Sequence, residues 1–136
     1  MNSEYNKTIL PNGLTIITEK FTGVRSVSVG VWIKSGSREE KKQDNGIAHF
    51  LEHMLFKGTK RRSARQIAKS LESVGGYLNA FTSKEFTCFY AEILDEYLAR
   101  AVDVLTDICK LHIIANSFGG GLNDGIDRFQ RLWRGN

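Results

Sequence analysis

The sequence predicts an α+β domain, with a mainly antiparallel sheet of about five strands packed against helices. Two observations carry this expectation. Period-two stretches come in pairs about short turns, and between and after them lie segments whose apolar residues recur at three-and-four spacing. A third observation bounds it, because beyond about Ala115 neither period is sustained.

The elements follow in order. Residues 7–10 and 14–20 flank Pro11-Asn12-Gly13, and Asn-Gly supplies the positive φ that a tight hairpin turn demands. Residues 26–34 alternate strictly, with Val27, Val29, Val31 and Ile33 on one face and Ser26, Ser28, Gly30 and Trp32 on the other. Ser35-Gly36-Ser37 breaks that strand, and a charged connector over 38–43 leads to Asp44 or Asn45 as the N-cap of a first helix. Gly58 is expected to end that helix at C′. Ser63, with Gln66 three residues on, forms a capping box ahead of Ile67, Ala68, Leu71 and Val74, and Gly75-Gly76 closes the second helix. Residues 77–82 and 85–93 read as a second hairpin about Ser83-Lys84. Asp95 then caps a third helix with Leu98, Ala101, Val102, Leu105, Ile108 and Cys109 on its apolar face.

Composition suits one core. The 136 residues are 41% hydrophobic and 25% charged, and no run of 18 apolar residues spans a membrane. The N-terminus has neither signal-peptide zones nor an Arg-rich transit pattern, so a bacterial cytoplasmic setting is expected. Cys88 and Cys109 lack metal-ligand or redox spacing and read as core residues. Part of the net charge of +4 gathers at Lys57, Lys60, Arg61, Arg62 and Arg65. Without interleaved aromatic residues this cluster reads as a solvated loop and helix start, not as a nucleic-acid surface.

One string names a chemistry. His49-Phe50-Leu51-Glu52-His53 lies inside the first helical segment. At about 100° per residue, His49 and His53 stand about 40° apart around the helix, with Glu52 about 60° to the other side of His49. Two imidazoles on one arc can grip a metal ion, and a carboxylate beside them can take a proton from a metal-bound water. The order inverts HExxH and matches the inverzincin signature. The alternative is a helix whose histidines and glutamate form a solvated face, with Ile47, Phe50, Leu51, Met54 and Leu55 as its core stripe.

From Leu10 to about Cys109 the chain resembles the pitrilysin/insulinase family of zinc metallopeptidases, most closely its processing-peptidase-like bacterial members. The blocks that carry the likeness are Pro11-Asn12-Gly13-Leu14, the stretches 32–38 and 45–59, and 71–83 with its Leu78-Asn79-Ala80-Phe81-Thr82 core. The resemblance implies that His49 and His53 are zinc ligands and Glu52 the general base. It also implies that Asn79, Ala80 and Phe81 lie on an edge strand to which an extended peptide or protein substrate adds by main-chain hydrogen bonds.

The chain also departs from the family. Catalytic zinc usually takes three protein ligands, and the family supplies the third as a glutamate on a later helix, at a spacing that falls near Phe129 here. No glutamate follows Glu96, and the nearest carboxylates are Asp124 and Asp127, in a stretch with Gly119-Gly120-Gly121. Residues 1–115 are therefore expected to form part of an N-terminal peptidase domain, and 116–136 a poorly ordered tail. A frame shift or truncation near Ala115 is the expectation that accounts for the break. The function expected is a zinc metalloendopeptidase acting on extended or unfolded peptides, truncated and inactive as it stands if the third ligand is truly absent. The alternative is a non-catalytic family member serving as a partner subunit. Self-association or a missing second domain is expected to cover exposed apolar sheet surface. No nucleic-acid or membrane partner is expected.

Overall fold

A computed structural model describes residues 4–40, 42 and 45–117. Its elements are β1 (Glu4–Ile9), β2 (Thr15–Lys20), β3 (Ser26–Ile33), α1 (Ile47–Leu55), α2 (Ala64–Glu72), β4 (Tyr77–Thr82), β5 (Thr87–Leu94) and α3 (Leu98–Ser117). The α+β class and the five strands match expectation. The strands divide, however, into a two-stranded sheet β1–β2 and a three-stranded antiparallel sheet in the order β3–β5–β4. Alternation identifies a strand without naming its neighbours, so this division was not legible beforehand. The tail expected from residue 116 lies outside the described residues from 118 onward, together with Asp124, Asp127 and Phe129, whereas α3 itself runs to Ser117.

The core lies between the three-stranded sheet and the helices. Phe89, Ala91 and Ile93 of β5 meet Ala101, Val104, Leu105 and Ile108 of α3, while Ile67 and Leu71 of α2 join from the side. Val29, Val31 and Ile33 pack against this cluster from β3, so the branched aliphatic face of the alternation is the inner one. Cys88 and Cys109 are free thiols and buried, and burial pushes the Cys109 thiol up to about 12. Leu98 and Val102 of the expected α3 stripe are exposed instead, and Val104 takes the interior position. No described helix is long and apolar enough to cross a membrane.

The turns show how local chemistry sets the geometry. Gly13 takes φ +84 in the first hairpin, where the Asn12 side chain accepts the Leu14 N–H at 3.1 Å. The second hairpin turns over a longer loop than Ser83-Lys84 alone. Ser83 Oγ accepts the N–H of Phe86 at 3.1 Å and donates to the Phe86 carbonyl at 2.9 Å, which delays β5 until Thr87. Onto this loop the β3–α1 connector docks by main chain, with Ser37 N–H on Ser83 O at 3.1 Å and Arg38 N–H on Lys84 O at 2.8 Å. A Cβ at Gly36 would stand 2.5 Å from Ser83 O, so only glycine allows this approach.

Two expected caps are corrected. The N-cap of α1 is Gly46, at φ +94, and Asn45 precedes it; Asp44 lies outside the described residues. Gly46 has no side chain to offer the helix, and its own N–H is held by Glu40 Oε2 at 2.7 Å. Asp95 opens a 3₁₀ turn, Asp95–Tyr97, ahead of α3. Its carboxylate is shared between the Glu96 N–H and the Arg25 guanidinium, 3.1 Å away, and the Arg25 hydrogen bond holds its pKa below the usual carboxylate range. Gly58 is likewise beyond the C′ position, since the α1 C-cap is Phe56. At φ +133 Gly58 instead forms a bridge with Ser63.

Candidate metal centre

The short helix α1 presents its polar face beside the end of β4. His49 and His53 are exposed, Glu52 is half-buried, and one ligand atom from each of the three lies within 4.8 Å of the others. The two imidazole Nε2 atoms are 3.0 Å apart, their rings nearly perpendicular at 80°. At that distance the nitrogens either share a proton or turn both lone pairs to a common cation. Two nitrogens bound to one tetrahedral zinc at about 2.0–2.1 Å stand about 3.3 Å apart, so the observed pair needs only a small adjustment to hold such an ion. Soft-to-borderline imidazole donors with an oxygen donor alongside also suit zinc chemically. Among the described residues no fourth ligating side chain joins this group.

Glu52 is fixed from the sheet. The Thr82 hydroxyl, at the last residue of β4, donates to Glu52 Oε2 at 2.6 Å. A short bond to a carboxylate of this kind is charge-assisted and orients the acceptor. Thr82 is the residue that sequence reasoning missed. β4 alternation places it on the same face as Leu78 and Ala80, toward the helices, but that pattern does not name Glu52 as its partner.

The remaining expected residues sit where the strand carries them. β4 pairs with β5 on one side and is an edge among the described strands. Ala80 is buried in the core, whereas Phe81 is exposed on the opposite face against Trp32 and Phe86, at centroid distances of 5.9 and 6.0 Å. Asn79 accepts the Ala80 N–H at 2.8 Å and donates to the Tyr77 hydroxyl at 2.7 Å. The structure therefore brings His49, Glu52 and His53 together and places Asn79, Ala80 and Phe81 on the adjoining strand. The alternative apolar stripe is not observed at Phe50, which is 42% exposed.

The basic cluster proves partly paired. Arg61 Nη1 reaches Asp103 Oδ1 at 3.1 Å, and Arg62 bonds both Asp103 and Asp107. The Arg61 hydrogen bond, followed by that of Arg62, holds the Asp103 carboxyl below its ordinary range.

Residues 15–117 match the model of the insulinase family, peptidase family M16. The chain belongs to the insulinase family. This insulinase-family chain is 58% identical over 97 residues to the zinc protease YmxG of Bacillus subtilis (strain 168), an alignment covering 71% of this chain and 24% of that protein. It is 51% identical over 107 residues to a probable mitochondrial-processing peptidase subunit beta of Arabidopsis thaliana, covering 79% of this chain and 20% of the relative. A third relative, the mitochondrial-processing peptidase subunit beta of Saccharomyces cerevisiae (strain ATCC 204508 / S288c), is 48% identical over 108 residues, covering 79% and 23%. The chain thus spans about a quarter of the length of these curated relatives.

Proposed function

We propose that this chain carries the metal-binding segment of a zinc-dependent metalloendopeptidase. The observation that carries the reading is the 3.0 Å approach of two imidazole nitrogens with a sheet-anchored carboxylate beside them. His49 and His53 would hold the ion. A bound zinc ion supplies Lewis acidity toward a peptide carbonyl and toward water. Glu52, oriented by Thr82, takes a proton from the attacking water and passes it to the leaving amine. Asn79, Ala80 and Phe81 offer the β4 edge to an extended peptide, where main-chain pairing selects for extension over side-chain identity.

The names of the relatives support the zinc and the peptidase chemistry. A second reading, a non-catalytic subunit, is favoured by one observation: among the described residues the metal-capable group stops at three side chains on one helix. Zinc content and cleavage of a generic unfolded peptide separate the two. The expected result is one zinc per chain, lost in His53→Ala and retained in Glu52→Gln, with hydrolysis abolished in Glu52→Gln. A wild-type chain without zinc, or full activity in Glu52→Gln, overturns the proposal.

A further inference from the structure

α1 is held by polar tethers as well as by packing, for Phe56 at its C-cap lies against the core cluster. Among its described side chains His49, Phe50 and His53 are exposed, and Glu52 and Met54 are half-buried. A nine-residue helix is too short to be stable unaided, so its position depends on tethers. Glu40 ties its first residues through Gly46, and Thr82 ties its middle through Glu52. The last turn, which contains His53, tightens through the Lys57 N–H on Met54 O at 3.0 Å and then meets a polar knot on α3.

Asp107 of α3 is the centre of that knot. Its Oδ2 accepts from Thr59 Oγ1 at 2.8 Å and from Arg62 Nη1 at 2.8 Å. Thr59 Oγ1 accepts in turn from the N–H groups of Arg61 at 3.1 Å and Arg62 at 3.0 Å, and the Thr59 N–H closes on Arg62 O at 2.7 Å. Asp107 is only 7% exposed and the Arg62 side chain 17%, so water competes poorly for these bonds. Removing either partner leaves a buried carboxylate oxygen short of a donor, which is costly.

We infer that Asp107 is a positioning residue for the metal site: through Thr59 and Arg62 it pins the exit of α1 to α3 and keeps the turn bearing His53 from fraying. The inference rests on the zinc reading above. Two ligands on one ion must be held to a few tenths of an ångström, and a helix end released into solvent spends part of its time without that geometry.

The test compares wild type, Asp107→Asn and Thr59→Val at a temperature where circular dichroism shows each folded. Zinc affinity is read by chelator competition, and amide hydrogen exchange is read separately in α1 and β5. Both variants are expected to bind zinc about tenfold or more weakly, with faster exchange confined to α1 and unchanged exchange in β5. Wild-type affinity together with unchanged α1 exchange overturns the inference, as does acceleration that is equal in α1 and β5. Should Asp107→Asn fail to fold, Thr59→Val decides by the same criteria. A wild-type chain that takes up no zinc defeats the metal reading itself, while the exchange comparison still decides whether Asp107 holds α1.

Discussion

The Glu52 carboxylate joins the sheet to the histidine pair. Oε2 accepts the Thr82 hydroxyl at 2.6 Å, and a carboxylate oxygen lies within 4.8 Å of a ring nitrogen of each histidine. A hydrogen bond to a charged group contributes about 1.5–3 kcal/mol, and here its value lies in direction as much as in energy. Thr82→Val is therefore expected to leave zinc stoichiometry unchanged while lowering kcat for peptide hydrolysis about tenfold at constant KM. Thr82→Ser should restore the rate. Steady-state kinetics on metal-loaded protein checks this, and a Val variant with wild-type kcat removes the role. The HxxEH spacing made His49, Glu52 and His53 legible as a unit. Thr82 was not, because a threonine in a strand has many uses and only the docking of β4 against α1 brings its hydroxyl to a carboxylate thirty residues away.

At the scale of elements, legibility followed the range of the interaction. The Ser63 box formed as its sequence dictates, with the Gln66 N–H on Ser63 Oγ at 3.3 Å and the Ser63 N–H on Gln66 Oε1 at 2.7 Å. Ser63→Ala is expected to cost about 1 kcal/mol, the usual value of a lost N-cap. Urea denaturation measures it, and a change below a few tenths would show that the box contributes nothing here. The caps at Asn45 and Asp95 did not form as expected, and in both cases a partner distant in sequence or outside the helix intervened. Glu40 holds the Gly46 N–H, and Arg25, seventy residues upstream, draws the Asp95 carboxylate to itself. A local cap competes with such partners once the chain is folded, and the sequence alone does not rank them.

Over the whole molecule, burial divides the chain unevenly. Among the described strands β1 and β2 pair only with each other, and they expose Tyr5, Ile9 and Ile17, with Leu14 and Phe21 exposed at the ends of β2, whereas the three-stranded sheet is sealed on one face by α3. Phe89 is 0% exposed and Ile17 67%. Phe89→Ala is expected to cost about 3–5 kcal/mol and Ile17→Ser less than about 0.5 kcal/mol. Thermal or urea unfolding of the two variants checks the contrast, and similar losses would place the hairpin in the core. The sequence by itself determined the strand and helix segments, the two faces of β3 and the histidine–glutamate triad, because each follows from periodicity or spacing within a few residues. Tertiary structure alone decided that the strands split two and three, that Thr82 reaches Glu52, and that Asp107 gathers Thr59 and Arg62. Those outcomes depend on which distant surfaces exclude water together, a choice made only when the whole chain packs.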